Sequence, residues 1–304
     1  MRVLLASLVL AVLVLSPARA EEADRLQCPD TFTHPEQEPL LLVHGTFTNA
    51  RENWGWNWQL AHADDMDVCT VTLPDRSLGD MQVQGELVAQ AIREMADRSG
   101  GQVDVMGHSQ GGLHPRWAVK WWPEVRTLVD DLVMLGAPNH GTEASAIAPP
   151  VGCFASCWQM GPDSAYIGAL NRDDETPGDI SYTSIYTLFD ELVLPQVPES
   201  TSALEPADNL TNIAVQDVCP GRPVEHAGLM ADLAAHEIAM DALVHPGSAD
   251  VTRINPLVAC AGVFFDGVDP VGQWPDIMRA DFDDGFPDFH NEPTEPELRD
   301  YATS

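Results

Sequence analysis

Apolar residues in this chain gather into short runs that end at glycine, proline or aspartate. Pro39 to Val43, Val68 to Leu73, Val103 to Met106, Leu132 to Leu135, Ser184 to Leu188 and Asn212 to Val215 show almost no polar alternation. Runs this short and this apolar read as parallel strands buried on both faces. Between them the period changes. Val83, Leu87, Val88, Ala91, Ile92 and Met95 recur at helical spacing and stop before Gly100-Gly101, and Met230, Ala234, Ile238 and Ala242 form a second stripe that stops before Pro246-Gly247. Strands alternating with helices predict an α/β fold, a mostly parallel central sheet with right-handed crossovers and helices on its faces.

Two stretches depart from that rhythm. Residues 140–177 hold Pro149-Pro150, the close pair Cys153 and Cys157 and a short helix around Ser164 to Asn171, with Asp163 as its expected cap; this reads as a cap or lid-like insertion above the sheet. Residues 266–304 are rich in Asp, Glu and Pro and read as a solvated, partly mobile extension. Asp281, Asp283 and Asp284 do not match the spacing of a calcium-binding loop. The expected organisation is therefore a leader at 1–20, one catalytic domain at 21–265 that includes the insertion, and the extension at 266–304.

The leader reading rests on Arg2, the apolar stretch Val3 to Leu15, and Ser16-Pro17-Ala18-Arg19-Ala20 as a small-residue cleavage site before Glu21. The stretch is shorter than the roughly 18 apolar residues a membrane span needs, so no transmembrane segment is expected in the mature chain. Export to the extracellular space follows. Six cysteines, Cys28, Cys69, Cys153, Cys157, Cys219 and Cys260, then favour disulfides over a metal site, and their pairing is open at this point. No metal ion or cofactor is implied. The formal charge of −32 becomes −34 without residues 1–20, which carry two arginines and no acid, and Lys120 is the single lysine. Nucleic acid and anionic membranes are poor partners for such a surface.

Candidate chemistry sits directly behind the third run, where Gly107-His108-Ser109-Gln110-Gly111 precedes a helical segment. A serine at a sharp strand-to-helix turn needs small neighbours, because adjoining backbone passes too close for side chains. Its hydroxyl is a weak nucleophile and needs an imidazole to take its proton, oriented by a carboxylate. In α/β-hydrolases these follow in the order serine, acid, histidine, in loops at the carboxyl ends of strands. Asp190 lies just beyond the fifth run and His226 lies in the loop after the sixth. Glu191, adjacent to Asp190, is expected to point elsewhere; Asp217 lies too near His226; His236 and His245 belong to the last helix. The oxyanion donors expected are the backbone N–H of Gln110 and, in the loop Val43-His44-Gly45-Thr46-Phe47, both the N–H and the hydroxyl of Thr46. The tryptophans at 54, 56, 58, 117, 121 and 122 read mainly as packing residues, with one or two available to line an acyl channel.

Val43-His44-Gly45-Thr46, Ser109-Gln110-Gly111-Gly112-Leu113, Ser184-Ile185-Tyr186, Asp190-Glu191-Leu192-Val193-Leu194-Pro195-Gln196-Val197 and His226-Ala227-Gly228 together resemble the Candida antarctica lipase B-like family of secreted lipases, from about Glu38 to Cys260. The resemblance implies an α/β-hydrolase fold, a carboxylic ester as substrate, the triad Ser109, Asp190 and His226, and an oxyanion hole at Thr46 and Gln110. It also implies disulfides Cys28 to Cys69 and Cys219 to Cys260. In the chain-entropy picture, closing a loop of about 41 residues contributes on the order of 4 kcal/mol. Cys153 and Cys157 have no counterpart in the family; they form a local bridge or stay reduced. His108 before the serine and Asn139-His140-Gly141 depart from the family pattern, the latter where an acidic side chain is expected near the site. Pro115, early in the helix after the serine, lacks an N–H and is expected to tilt its first turns.

The function expected is a secreted triacylglycerol lipase or carboxylesterase, monomeric, acting on lipid or other hydrophobic esters at or near a lipid–water interface, by an acyl-enzyme path with no cofactor. Polyester hydrolysis and acyl transfer use the same triad and are alternatives within the class. A non-catalytic binding protein on a hydrolase scaffold is expected to lack a member of the set, whereas serine, acid, base and both oxyanion positions stand here in order. Export with cleavage after Ala20 predicts a mature chain that begins at Glu21, which intact mass of the secreted protein checks; a mass retaining residues 1–20 contradicts it.

Overall fold

The computed structural model describes residues 25–56, 58, 66–147, 153–273 and 291–303. The expected leader at 1–20 lies outside these, as do Asp281, Asp283 and Asp284. Seven strands form one sheet: β1 (Leu26–Gln27), β2 (Leu40–Val43), β3 (Val68–Val71), β4 (Val103–His108), β5 (Val129–Leu135), β6 (Ser181–Tyr186) and β7 (Leu210–Ala214), in the order β1-β3-β2-β4-β5-β6-β7. All pairs are parallel except β1 with β3. The six apolar runs are the six parallel strands, with ends shifted by no more than three residues. β1 is too short to leave a periodic signal; the Cys28–Cys69 disulfide joins its end to β3.

Strand alternation divides the core in two. Leu41, Val43, Val103, Val105, Leu132 and Met134 face one layer, which holds α2 (Met81–Ser99) and α3 (Leu113–Trp121). Leu40, Leu42, Met106, Val133, Leu135, Ile185 and Ile213 face the other, which holds α1 (Ala50–Trp54) and α6 (Leu233–Val244). Asp80 caps α2 by accepting from Gln82 N, and Gly100 ends it at φ 77°, a left-handed turn open to glycine. The second stripe is broken: Asp232 accepts from Ala234 N and Ala235 N and starts α6 there, so Met230 belongs to a separate turn, Ala227–Met230.

The insertion carries α4 (Ala155–Gln159) and α5 (Ala165–Leu170) and a Cys153–Cys157 bridge. Ser164, not Asp163, caps α5 by accepting from Ile167 N at 3.1 Å, and the Glu295 carboxylate accepts from Ala165 N and Tyr166 N at 2.8 and 2.9 Å. That contact corrects the expectation for the chain end. Residues 291–303 are not solvated throughout: Ala302 is fully buried, Tyr301 packs against Trp117, Trp121 and Trp122, and its hydroxyl donates to Glu86 at 2.9 Å. The few apolar side chains near the terminus, Leu298, Tyr301 and Ala302, cover the outer face of α2 and α3, which an acid-rich composition hides. Among the described residues no helix is long and apolar enough to cross a membrane.

At the amino end of β4 and β5, Val103 pairs with Val129 but Val105 with Leu132, so Asp130 and Asp131 together oppose Asp104. This bulge gathers three carboxylates. Asp131 N donates to Asp104 Oδ1 at 3.1 Å, while Asp104 Oδ2 and Asp131 Oδ1 are buried without a hydrogen-bond partner. Burial first, and then the charges of Asp130 and Glu38, push Asp131 from the ordinary 3.8 up to about 8; burial and then the charge of Asp131 raise Asp104. A carboxyl raised in the folded state stabilises fully below its unfolded value, and that contribution is lost as pH rises through the folded value. The unfolding temperature is therefore expected to fall as pH rises from 3.8 towards about 8, and Asp131→Asn should flatten part of that slope. Calorimetry of both proteins across the range checks it; parallel curves would contradict it.

Candidate active site

The centre of the sheet positions Ser109. β4 lies between β2 and β5 and runs directly into a tight turn, Ser109–Gly112, followed by α3. Ser109 has φ 57°, a left-handed conformation that a residue with a Cβ adopts only under constraint. The constraint is backbone contact. A Cβ on Gly107 would lie 2.2 Å from the Gly111 carbonyl oxygen, and one on Gly111 would lie 2.4 Å from that of Val43. Glycine at both positions lets the turn fold back onto β4 and β2. Pro115 lies in the first turn of α3, which continues directly from the Ser109–Gly112 turn, and the helix runs on through it to Trp121.

Asp190 and His226 come together, both buried, with Asp190 Oδ2 accepting from His226 Nδ1 at 2.8 Å. Asp190 Oδ1 accepts from Leu192 N and Val193 N at 2.9 and 2.8 Å, which fixes the carboxylate. A proton held on Nδ1 leaves Nε2 as the basic nitrogen of His226. Gly136, at φ 59°, leaves room for this ring: a Cβ there would lie 3.3 Å from Nδ1. Ser109 and His226 line one cavity of about 360 Å³, and the Ser109 hydroxyl makes no hydrogen bond to a described residue.

Three contacts around this pair escape a reading of motifs. The Glu191 carboxylate does not point elsewhere; it accepts from His226 N at 3.1 Å. His108 Nε2 donates to the His226 carbonyl at 3.1 Å, and the two rings lie 4.8 Å apart. Burial first, and then repulsion from His226, hold His108 down at about 3. Thr187 Oγ1 donates to the Val224 carbonyl at 2.7 Å and joins the strand end to the His226 loop. The bridge Cys219–Cys260 and the Arg222–Asp232 ion pair, Nε to Oδ2 at 2.5 Å, brace the start of that loop.

Thr46 and Gln110 also meet. Thr46 Oγ1 donates to Gln110 Oε1 at 2.5 Å, so in this state the hydroxyl hydrogen is committed and the Thr46 backbone N–H is the candidate donor left. Gln110 is the second residue of its turn, where intrahelical bonding leaves the N–H unused. Its side-chain amide donates to Ser77 O at 2.9 Å and Gln84 Oε1 at 3.1 Å. Both ring nitrogens of His44 are taken up by main-chain groups. It accepts from Leu73 N at 2.9 Å through Nε2, so Nδ1 donates to Gly45 O, and burial lowers it to about 4.

The cavity wall is mainly apolar and includes Phe47, Phe154, Met160, Leu192, Val193 and Met230. Phe47 and Phe154 meet edge to face, centroids 5.4 Å apart. No tryptophan lines it among the described residues; Trp54, Trp58 and Trp117 are core. Asn139 and His140 turn away from it as well. Asn139 is buried and binds Ser202 O and Arg116, and His140 Nε2 lies 2.9 Å from the Glu175 carboxylate.

A mostly parallel sheet flanked by helices, with a serine in a strained turn behind its central strand and a histidine–carboxylate pair at the same cavity, defines an α/β-hydrolase. No family model matches the chain. It is 30% identical over 247 residues to lipase B of Pseudozyma antarctica, a match that covers 77% of this chain and 71% of that protein. The crystal structure of Aspergillus fumigatus lipase B superposes with a TM-score of 0.83 at 28% identity, covering 95% of this chain and 72% of that one. The chain belongs to the lipase B family.

The close backbone contact at Gly111 makes it, with Gly107, a sensitive point of the turn. Gly111→Ala is expected to cost about 1–3 kcal/mol in stability, the range for overpacking a filled site. Urea unfolding measures it; an unchanged midpoint would show that the turn yields without strain.

Proposed function

We propose that the protein is a secreted lipase or carboxylesterase in which Ser109 is the nucleophile, His226 the general base and acid, and Asp190 the residue that orients His226. The observation that carries this reading is the 2.8 Å Asp190–His226 bond at the cavity that also holds the strained Ser109 turn. Membership of the lipase B family supports ester hydrolysis in general.

Ser109 Oγ attacks the ester carbonyl carbon while its proton passes to His226 Nε2. Asp190 stabilises the resulting imidazolium without taking a proton. The carbonyl oxygen, now negative, is bound by the N–H groups of Thr46 and Gln110, with the Thr46 hydroxyl turning from Gln110 to add a third donor. Collapse breaks the bond to the alcohol oxygen, which leaves with the proton from His226. Water then repeats the sequence on the acyl-enzyme and releases the acid. A wall of Phe47, Phe154, Met160 and Leu192 suits a hydrophobic acyl or alcohol group. The apolar leader at 1–20 and three disulfides among six cysteines support export.

Ser109→Ala is expected to abolish hydrolysis of p-nitrophenyl esters and labelling by a fluorophosphonate. Asp190→Asn should lower kcat about 10⁴-fold, because its amide no longer enforces the productive tautomer. Full activity in Ser109→Ala on esters of short and long acyl chains would overturn the proposal.

A further inference from the structure

Left-handed residues other than glycine gather at one rim of the cavity: Phe47 at φ 66°, Asp75 at 50°, Arg76 at 52° and Ser77 at 63°, beside Ser109 at 57°. Such residues persist only where their surroundings hold them. The holding contacts are specific. Arg76 O accepts from Phe47 N at 2.9 Å, and Arg76 Nη1 donates to Phe47 O at 2.8 Å, so both main-chain groups of Phe47 are fixed by one residue. The guanidinium also pairs in two-pronged fashion with Glu52, Nη1 to Oε2 at 2.5 Å and Nη2 to Oε1 at 2.8 Å. Both side chains are largely buried, and Glu52 is anchored in turn by the cap of α1, accepting from Asn49 N and Nδ2. The next residue, Ser77, offers its carbonyl to Gln110 Nε2, and Gln110 holds the Thr46 hydroxyl.

We infer that the Glu52–Arg76 ion pair is the positioning element of the oxyanion hole, aiming the Thr46 N–H by fixing the peptide groups of Phe47 that follow it. The turn Asp75–Ser77 thus grips the Thr46 loop twice, at the Phe47 main chain through Arg76 and at the Thr46 side chain through Ser77 and Gln110. Arg76 and Glu52 line no part of the cavity, so neither touches substrate. Their effect falls on the transition state, where the donor must meet a developing charge, and little on ground-state binding. The inference rests on the ester-hydrolase reading above.

The test is steady-state hydrolysis of p-nitrophenyl butyrate by Arg76→Met, Arg76→Lys and Glu52→Gln, each checked for folding by circular dichroism. Arg76→Met and Glu52→Gln are expected to lower kcat about 10- to 100-fold with KM within about twofold, and Arg76→Lys to recover part of the loss. Glutamine keeps the cap of α1 while removing the charge, so Glu52→Gln carries the test if Arg76→Met does not fold. Folded variants with kcat within about twofold of the parent, or a loss confined to KM, would overturn the inference and leave the ester-hydrolase reading standing. A parent protein without Ser109-dependent hydrolysis removes both.

Discussion

The whole candidate site hangs on one steric contact, the approach of the Gly107–Gly111 turn to the backbone of β4 and β2. With 2.2 and 2.4 Å available to any added Cβ, a side chain at either glycine would push the backbone apart, and the chain between them turns within four residues. That turn leaves Ser109 left-handed at the carboxyl end of the central strand. It also leaves the Gln110 N–H at the start of the following turn without an intrahelical acceptor. Parallel register then brings the loops after β2, β6 and β7 to the same sheet edge. The chemistry assembles because the sheet is parallel, and it faces the cavity because the turn is tight.

Strain of this kind has to be offset by packing elsewhere. The sheet supplies it on both faces, where Leu40 to Val43, Val103, Val105 and Leu132 to Leu135 are almost wholly buried. The rim of the cavity is restrained differently, by charged and polar contacts. Glu52 and Arg76, and then Ser77, Gln84 and Gln110, form two hydrogen-bonded groups joined by the Arg76–Ser77 peptide bond, leading from the cap of α1 to the side of Thr46. Buried polar chains of this type are directional, and direction is what an oxyanion donor needs and apolar packing cannot give.

Much of this was legible in the sequence, and the exceptions have physical causes. Strands buried on both faces announce themselves as apolar runs, so six of seven were visible; β1 has two residues and no period. The capped start of α6 was misplaced because the Met230 stripe continues in phase across Asp232, and only the hydrogen bonds to Ala234 and Ala235 show that the helix begins later. Ser109, Asp190 and His226 can be proposed from chain order because the fold fixes which loops meet. Glu191, His108 and the Glu52–Arg76 pair could not. They act through main-chain atoms of other residues, a role that leaves no motif, and Arg76 sits in a turn whose handedness no composition predicts. The chain end failed for a different reason: three apolar residues suffice to dock it, and an acidic average conceals them.

The surroundings of His226 make a last electrostatic point. A base that becomes an imidazolium in the transition state is hindered by any neighbouring positive charge. His108 lies closest, ring to ring at 4.8 Å, and a charged His108 would oppose that step directly. Burial prevents it, holding His108 near 3, while His44 and His114 are held near 4 and 3 by the same cause. Three imidazoles thus serve near the site as neutral hydrogen-bonding rings, and their side chains add bulk and polarity without adding charge. His226 differs in having a buried carboxylate on Nδ1. Of the four buried rings, the pairing with Asp190 singles out the one whose protonated form has a counter-charge in contact, which is what the proposed role of His226 as the base requires.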